Sequence, residues 1–210
     1  MLLRSNNMFQ NLKNSIKQIA EMKVSDKRRE ILKPLAEFIQ NKLEQNETIN
    51  LNFICTHNSR RSHLSQIWAQ TMAEYFGITN VFCYSGGTEA TAMFPKVAET
   101  LQKQGFEIQK ISETENPVYA VKFSENCHPV IGFSKKYDDV FNPETGFAAI
   151  MTCSNADQGC PFIAGAEKRI PVKFEDPKIS DGTPEMDETY FRRSFEIASE
   201  MYYVFSKIRK

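Results

Sequence analysis

From residue 51 onward the chain alternates short apolar runs with helical patterns: LNFIC at 51–55, a helix over about 61–77, NVFCYS at 80–85, and a helix over about 94–104. Brief apolar runs bounded by polar turns read as buried strands, and helical periodicity between them reads as crossovers. Strand, helix, strand, helix predicts a parallel sheet with right-handed connections, an α/β fold. Further on, VYAVKF and PVIGF flank the turn-like SENCH and suggest a hairpin. The apolar run FAAIMTC (147–153), RIPVKF (169–174) and an amphipathic helix over about 187–208 complete the chain.

At 210 residues the chain suits one well-packed domain with an appendage. Two helical patterns precede the alternation. One covers 8–20; the other starts after the N-cap candidate Ser25, with Pro34 expected to kink or divide it. Residues 1–49 thus read as an N-terminal helical extension, 50–210 as the main α/β domain, and 106–146 as an insertion carrying the hairpin. The extension either packs on the domain through its apolar faces or forms a homodimer surface.

Lysine plus arginine balances aspartate plus glutamate at 26 each, so no overall positive field attracts nucleic acid or anionic lipid, and an anion must be met by a local site. No apolar run has the length of a membrane helix, and MLLRSNNMFQ turns polar too soon for the core of a signal peptide; a cytoplasmic protein is expected. Five cysteines, an odd number at irregular spacing, do not make a secreted disulfide framework. Each is a buried hydrophobe or a working thiol.

One of them stands in a telling place. Cys55 ends the first strand, and Arg61 and Ser62 open the next helix, which gives the spacing C-x5-R-S at the mouth of a strand-loop-helix unit, where open α/β folds bind ligands. Five intervening residues suffice for a loop whose backbone N–H groups curl inward, and the helix N-terminus points its own N–H groups at the same spot. An oxyanion fits there, and the same dipoles favour a thiolate at Cys55, which makes it a nucleophile. The planar fork of Arg61 suits two oxygens of a tetrahedral anion, Ser62 suits a hydrogen bond to the sulfur, and Asn58 suits a left-handed turn.

The stretch ICTHNSRRS resembles the signature loop of the low-molecular-weight protein tyrosine phosphatase superfamily, which includes the thioredoxin-coupled arsenate reductases. Cys55, Asn58, Arg61 and Ser62 match that loop, whereas His57 stands in place of a glycine and Arg60 in place of a second cysteine. The resemblance implies a three-layer α/β/α fold around a mainly parallel four-stranded sheet. It also implies that Thr56, His57, Asn58, Ser59, Arg60 and Ser62 bind an arsenate or phosphate oxyanion. Asp176, followed by Pro177, resembles the family's general acid.

Cys153 ends a strand-like run, and Cys160 follows just before Pro161. On a helix the two Cα atoms would lie about 10.5 Å apart, beyond the roughly 4.4–6.8 Å of a disulfide, so joining them requires the segment to unwind. TCSNADQGCP resembles the thioredoxin-coupled arsenate reductases. That likeness implies a relay in which Cys55 attacks arsenate, Cys153 attacks Cys55, and Cys160 attacks Cys153, with thioredoxin or a similar thiol reductant restoring the pair. Some members bind potassium through a glutamate of the helix after the loop; Gln66 takes that position here, so no metal or cofactor is expected. Two alternatives stand beside this reading: a phosphatase acting on phosphotyrosine or small phosphate esters, and a redox-responsive binding protein that uses the loop as a sensor. Cys83 and Cys127 read as structural.

Overall fold

The computed structural model describes residues 7–159 and 162–210. Four parallel strands form the central sheet: β1 (Ile49–Cys55), β2 (Val81–Gly87), β6 (Phe147–Met151) and β7 (Ala166–Pro171), in the order β2-β1-β6-β7. The helices are α1 (Gln10–Glu21), α2 (Asp26–Glu44), α3 (Arg61–Tyr75), α4 (Pro95–Lys103), α5 (Ser154–Gly159) and α6 (Met186–Ser206). Among the described residues no helix is long and apolar enough to cross a membrane.

Alternation along β1 and β6 builds two cores, because successive side chains leave a strand on opposite faces. Leu51, Phe53, Ala148 and Ile150 join the larger cluster with Trp68 of α3 and Met201 of α6. Ile54, Cys55, Ala149 and Met151 join a smaller one with Cys153, Ala156 and Ile163. All five residues of β6 are buried, as expected of a strand covered on both faces.

The N-terminal helices lie on this body. Leu12, Ile16, Leu32, Leu35 and Ile39 are fully or almost fully buried in the larger cluster, and α1 and α2 both contact α6. Gly105 lets α1 come close: its φ is +101°, and a Cβ there would stand 2.2 Å from the Leu12 nitrogen. Arg28 of α2 sends Nε and one Nη to the two carboxylate oxygens of Glu200, each at 2.6 Å. Glu200 is 3% exposed; burial raises its carboxyl above the ordinary range, and Arg28 opposes that rise.

Pro34 does not divide its helix, and the expected hairpin is present with a third strand added. Pro34 lies inside an unbroken α2. A proline in a helix interior costs about 3 kcal/mol, but each fully buried aliphatic side chain returns about 1.5–3 kcal/mol, and α2 buries Leu32 before Pro34 and Leu35, Phe38 and Ile39 after it. The segments VYAVKF and PVIGF pair antiparallel as β4 (Tyr119–Lys122) and β5 (Val130–Gly132), and a third strand, β3 (Glu107–Lys110), joins them in a separate sheet of order β3-β4-β5. The sequence reading left β3 out because EIQK, with no buried residue, carries no apolar run.

Candidate active site

The carboxyl ends of the four parallel strands supply the site: the loop after β1, Gly87 at the end of β2, Cys153 after β6 and Asp176 after β7. This is the edge at which open parallel sheets bind ligands. Gly87 is needed for closeness, since a Cβ there would lie 2.2 Å from the Glu89 carbonyl oxygen and 2.7 Å from that of Thr56.

Within the loop the left-handed backbone falls at Asn58, with φ of 45°, while His57 lies outside that region. A histidine is therefore tolerated where the related loops have glycine. Asn58 is held on three sides. Its Nδ2 donates to Ser62 Oγ at 2.9 Å, its Oδ1 accepts from the Lys135 nitrogen at 2.9 Å, and its carbonyl lies 2.9 Å from His63 Nε2. A carbonyl only accepts, so Nε2 carries the hydrogen and Nδ1 accepts from Ser85 Oγ at 3.3 Å. Burial, and secondly the charge of Lys135, push the His63 pKa down to about 3, which keeps the ring neutral.

Ser62 Oγ stands 3.1 Å from Cys55 Sγ. Ser62 accepts from Asn58, and its hydroxyl hydrogen is available to a thiolate at Cys55. Arg61 donates through Nη1 to the Phe174 carbonyl at 3.0 Å and through Nη2 to Asp176 Oδ2 at 2.5 Å. Asp176 also caps the short 3-10 turn Pro177–Ser180 by accepting from the Lys178 nitrogen. Clamp and acid candidate are thus neighbours.

Arg60 turns elsewhere. Its Nε donates to Tyr190 Oη at 2.6 Å, its Nη2 to Asp181 Oδ2 at 2.5 Å, and its guanidinium lies 4.1 Å from the Phe94 ring centre. Tyr190 Oη in turn donates to Asp181 Oδ1 at 2.6 Å. His57 is half exposed on the rim, 3.5 Å from Glu89. Its carbonyl accepts from Thr91 Oγ1 and Ser134 Oγ, that of Thr56 from Thr88 Oγ1, and that of Ser59 from the Phe94 nitrogen.

Cys153 is 1% exposed, in the same small cluster as Cys55. Its sulfur lies 3.5 Å from Thr56 Oγ1 and accepts from the Ala156 nitrogen in the first turn of α5. Cys160 lies outside the described residues. Gln66 donates to the carbonyls of Cys83 and Ile131. Cys83 is buried, which raises its thiol well above the ordinary range, and Cys127 donates to the Ser124 carbonyl. Neither belongs to the cluster around Cys55.

Sequence reading did not single out Asp181, Tyr190, Gly87 or Lys135. Asp181 had one faint signal, a second aspartate at the far end of the turn that follows Asp176. Nothing in the sequence ties it to Arg60, 121 residues away.

Residues 50–120 match the family model of the low molecular weight phosphotyrosine protein phosphatases. An arsenate reductase of Bacillus licheniformis is 25% identical over 145 residues, 67% of this chain and 83% of that enzyme. One of Staphylococcus aureus is 26% identical over 151 residues, 71% of this chain and 92% of that enzyme. Among solved structures, a low-molecular-weight phosphotyrosine phosphatase of Vibrio cholerae has a TM-score of 0.50 at 15% identity, over 75% of this chain and 94% of its own. The loop, the parallel sheet that carries it and these likenesses agree: over residues 50–120 the chain is similar to the low molecular weight phosphotyrosine protein phosphatases, and its named sequence relatives are arsenate reductases.

Proposed function

We propose that the protein reduces arsenate to arsenite with Cys55 as nucleophile and Cys153 and Cys160 as the thiol relay. The observation that carries this reading is the burial of Cys153 against the loop, its sulfur 3.5 Å from the side chain of the residue after Cys55. Hydrolysis of a phosphate ester has no use for a second thiol there. The sequence relatives from Bacillus licheniformis and Staphylococcus aureus are arsenate reductases, in keeping with an oxyanion substrate and a thiol reductant.

Cys55 thiolate attacks arsenate held by Arg61 and the loop. An S–As bond forms, an As–OH bond breaks, and the departing hydroxide takes a proton from Asp176 to leave as water. Cys153 thiolate then attacks the Cys55 sulfur. The S–S bond forms as the S–As bond breaks, the electron pair stays on arsenic, and arsenic(V) leaves as arsenite, arsenic(III). Cys160 attacks Cys153, which frees Cys55 as thiolate and leaves a Cys153–Cys160 disulfide; an external dithiol of the thioredoxin class supplies two electrons and two protons to reduce it. Seven residues of helix would set two Cα atoms about 10.5 Å apart, beyond the reach of a disulfide, so on this reading the segment between the two cysteines is extended when they join.

The test is mass spectrometry of the disulfides after arsenate is added without reductant. A Cys153–Cys160 bridge is expected in the natural sequence and a Cys55–Cys153 bridge in Cys160→Ser. Sustained arsenite production by Cys160→Ser with thioredoxin would sink the relay.

Phosphatase activity is the second reading, because Cys55, Arg61, Ser62 and Asp176 serve phosphate esters without Cys153, and phosphate is nearly isosteric with arsenate. The segment DPKISDGTP offers no aromatic side chain to an aryl ester. Comparing aryl phosphate hydrolysis with arsenate reduction at equal enzyme concentration separates the two.

A further inference from the structure

Two adjacent arginines grip one short segment. Asp176 and Asp181 bracket the turn Pro177–Ser180; Arg61 takes the first aspartate and Arg60 the second, each at 2.5 Å. The two ties differ in kind. Arg61 must also serve the oxyanion, and Asp176 must be protonated to donate. A protonated carboxyl has lost its ionic attraction to a guanidinium, so the Arg61–Asp176 tie is weakest in the state that reacts.

The other tie has no part in the proton transfer. Asp181 accepts from both Arg60 and Tyr190, Tyr190 is fully buried in α6, and the Arg60 side chain is 13% exposed. Phe94 covers the guanidinium, and the Phe94 nitrogen is bonded to the Ser59 carbonyl of the loop itself. We infer that Arg60 is a positioning residue for the proton donor, holding the segment 176–181 against the oxyanion loop through Asp181 while Asp176 carries its proton. This rests on the reading of Asp176 as the general acid. It also gives the guanidinium of Arg60 a purpose apart from the anion.

A lost proton donor shows most where the leaving oxygen is poor. The measurement is kcat/KM for phenyl phosphate and for 4-nitrophenyl phosphate, inhibition by inorganic phosphate, and hydrogen–deuterium exchange, in Arg60→Met, Arg60→Lys and Asp181→Asn. Since general acid catalysis contributes about a hundredfold or more and a displaced acid retains part of it, Arg60→Met should lose about tenfold on phenyl phosphate and less than about threefold on 4-nitrophenyl phosphate. Phosphate inhibition should stay within about twofold and exchange over 176–181 should quicken, with β1 and α3 unchanged. Asp181→Asn, a smaller change to the fold, should reproduce this, and Arg60→Lys should fall between. Equal losses on both esters with weaker phosphate inhibition would place Arg60 on the anion and overturn the inference. If the natural sequence cleaves neither ester and reduces no arsenate, it is the reading of Asp176 that fails; unchanged exchange over 176–181 in Arg60→Met and Asp181→Asn would then overturn the tie itself.

Discussion

Ser62 Oγ lies 3.1 Å from Cys55 Sγ and accepts from Asn58 Nδ2 at 2.9 Å, which leaves its hydroxyl hydrogen available to the sulfur. In the proposed mechanism the contact serves the Cys55 sulfur as it attacks and again as it leaves. A hydrogen bond to a charged group is worth about 1.5–3 kcal/mol, so Ser62→Ala should lower kcat about tenfold to a hundredfold. Oxyanion inhibition should change little, because Arg61 and the loop amides remain. Steady-state kinetics with phosphate as inhibitor measures both, and an unchanged kcat would remove Ser62 from the chemistry.

Cys153 is tied to the site through Thr56. If it is the resolving thiol, Cys153→Ala should stop at the Cys55–arsenate adduct, with arsenite release lost and no intramolecular disulfide formed on exposure to arsenate. Arsenite quantification and intact-mass analysis check this. Release at the unaltered rate would mean that the external reductant attacks the adduct directly.

The pair of half-buried Arg28 and buried Glu200 ties α2 to α6. Removing one partner of such a pair costs about 3–5 kcal/mol because the other charge is left buried. Arg28→Met should therefore destabilise strongly in urea titration, whereas the double change Arg28→Met with Glu200→Leu should recover most of the loss. Failure of the second change to rescue would show that the cost lies in packing.

How much of this was legible in the sequence follows from how local each determinant is. The spacing of Cys55, Arg61 and Ser62 is set within one strand-loop-helix unit, and the left-handed position falls on Asn58, one of the few residue types that enter that region readily. The parallel order followed from alternation, since a buried strand such as FAAIM shows itself by its apolar run. Long-range pairings left no trace. Asp181 is an ordinary turn residue until Arg60 arrives from 121 positions away. Strand β3 pairs only with β4, and its four residues lack the apolar period that would announce it. Lys135 is misleading in the other direction, since a lysine is expected at the surface and this one is 2% exposed.

His63 makes the fold acid-labile. Its pKa is about 3 in the folded chain against 6.5 unfolded, held down first by burial and then by Lys135. The unfolded chain binds the extra proton between those values, so this stabilisation is fully present above about pH 6.5 and is lost as the pH falls toward 3. The loss is about 1.4 kcal/mol per pH unit, or about 2 kcal/mol between pH 8 and pH 5. Urea titrations of the natural sequence and of His63→Gln at those two pH values should show the excess pH dependence only in the former.

Lys135 is the reciprocal case. Its Nζ donates to the Phe133 carbonyl at 3.3 Å and lies 4.3 and 5.1 Å from the ring centres of Phe133 and Phe141. Burial lowers its pKa from 10.5 to about 8. The unfolded chain holds the proton more tightly, so the charged lysine destabilises the fold at every pH below 8, and stability is regained as the pH rises from 8 toward 10.5. Lys135→Met keeps the backbone bonds to Asn58 and Gly87 and removes the buried charge. It should add about 1–3 kcal/mol at pH 7, with the gain shrinking by pH 10. The same change lifts the repulsion that Lys135 exerts on His63, which raises the folded pKa of His63 and should make the acid-induced loss level off at a higher pH in Lys135→Met than in the natural sequence. Urea titrations at pH 7 and 10 and across the acid range below pH 5 read these effects, and a gain that persists undiminished at pH 10 would show that methionine packing, not charge, is responsible.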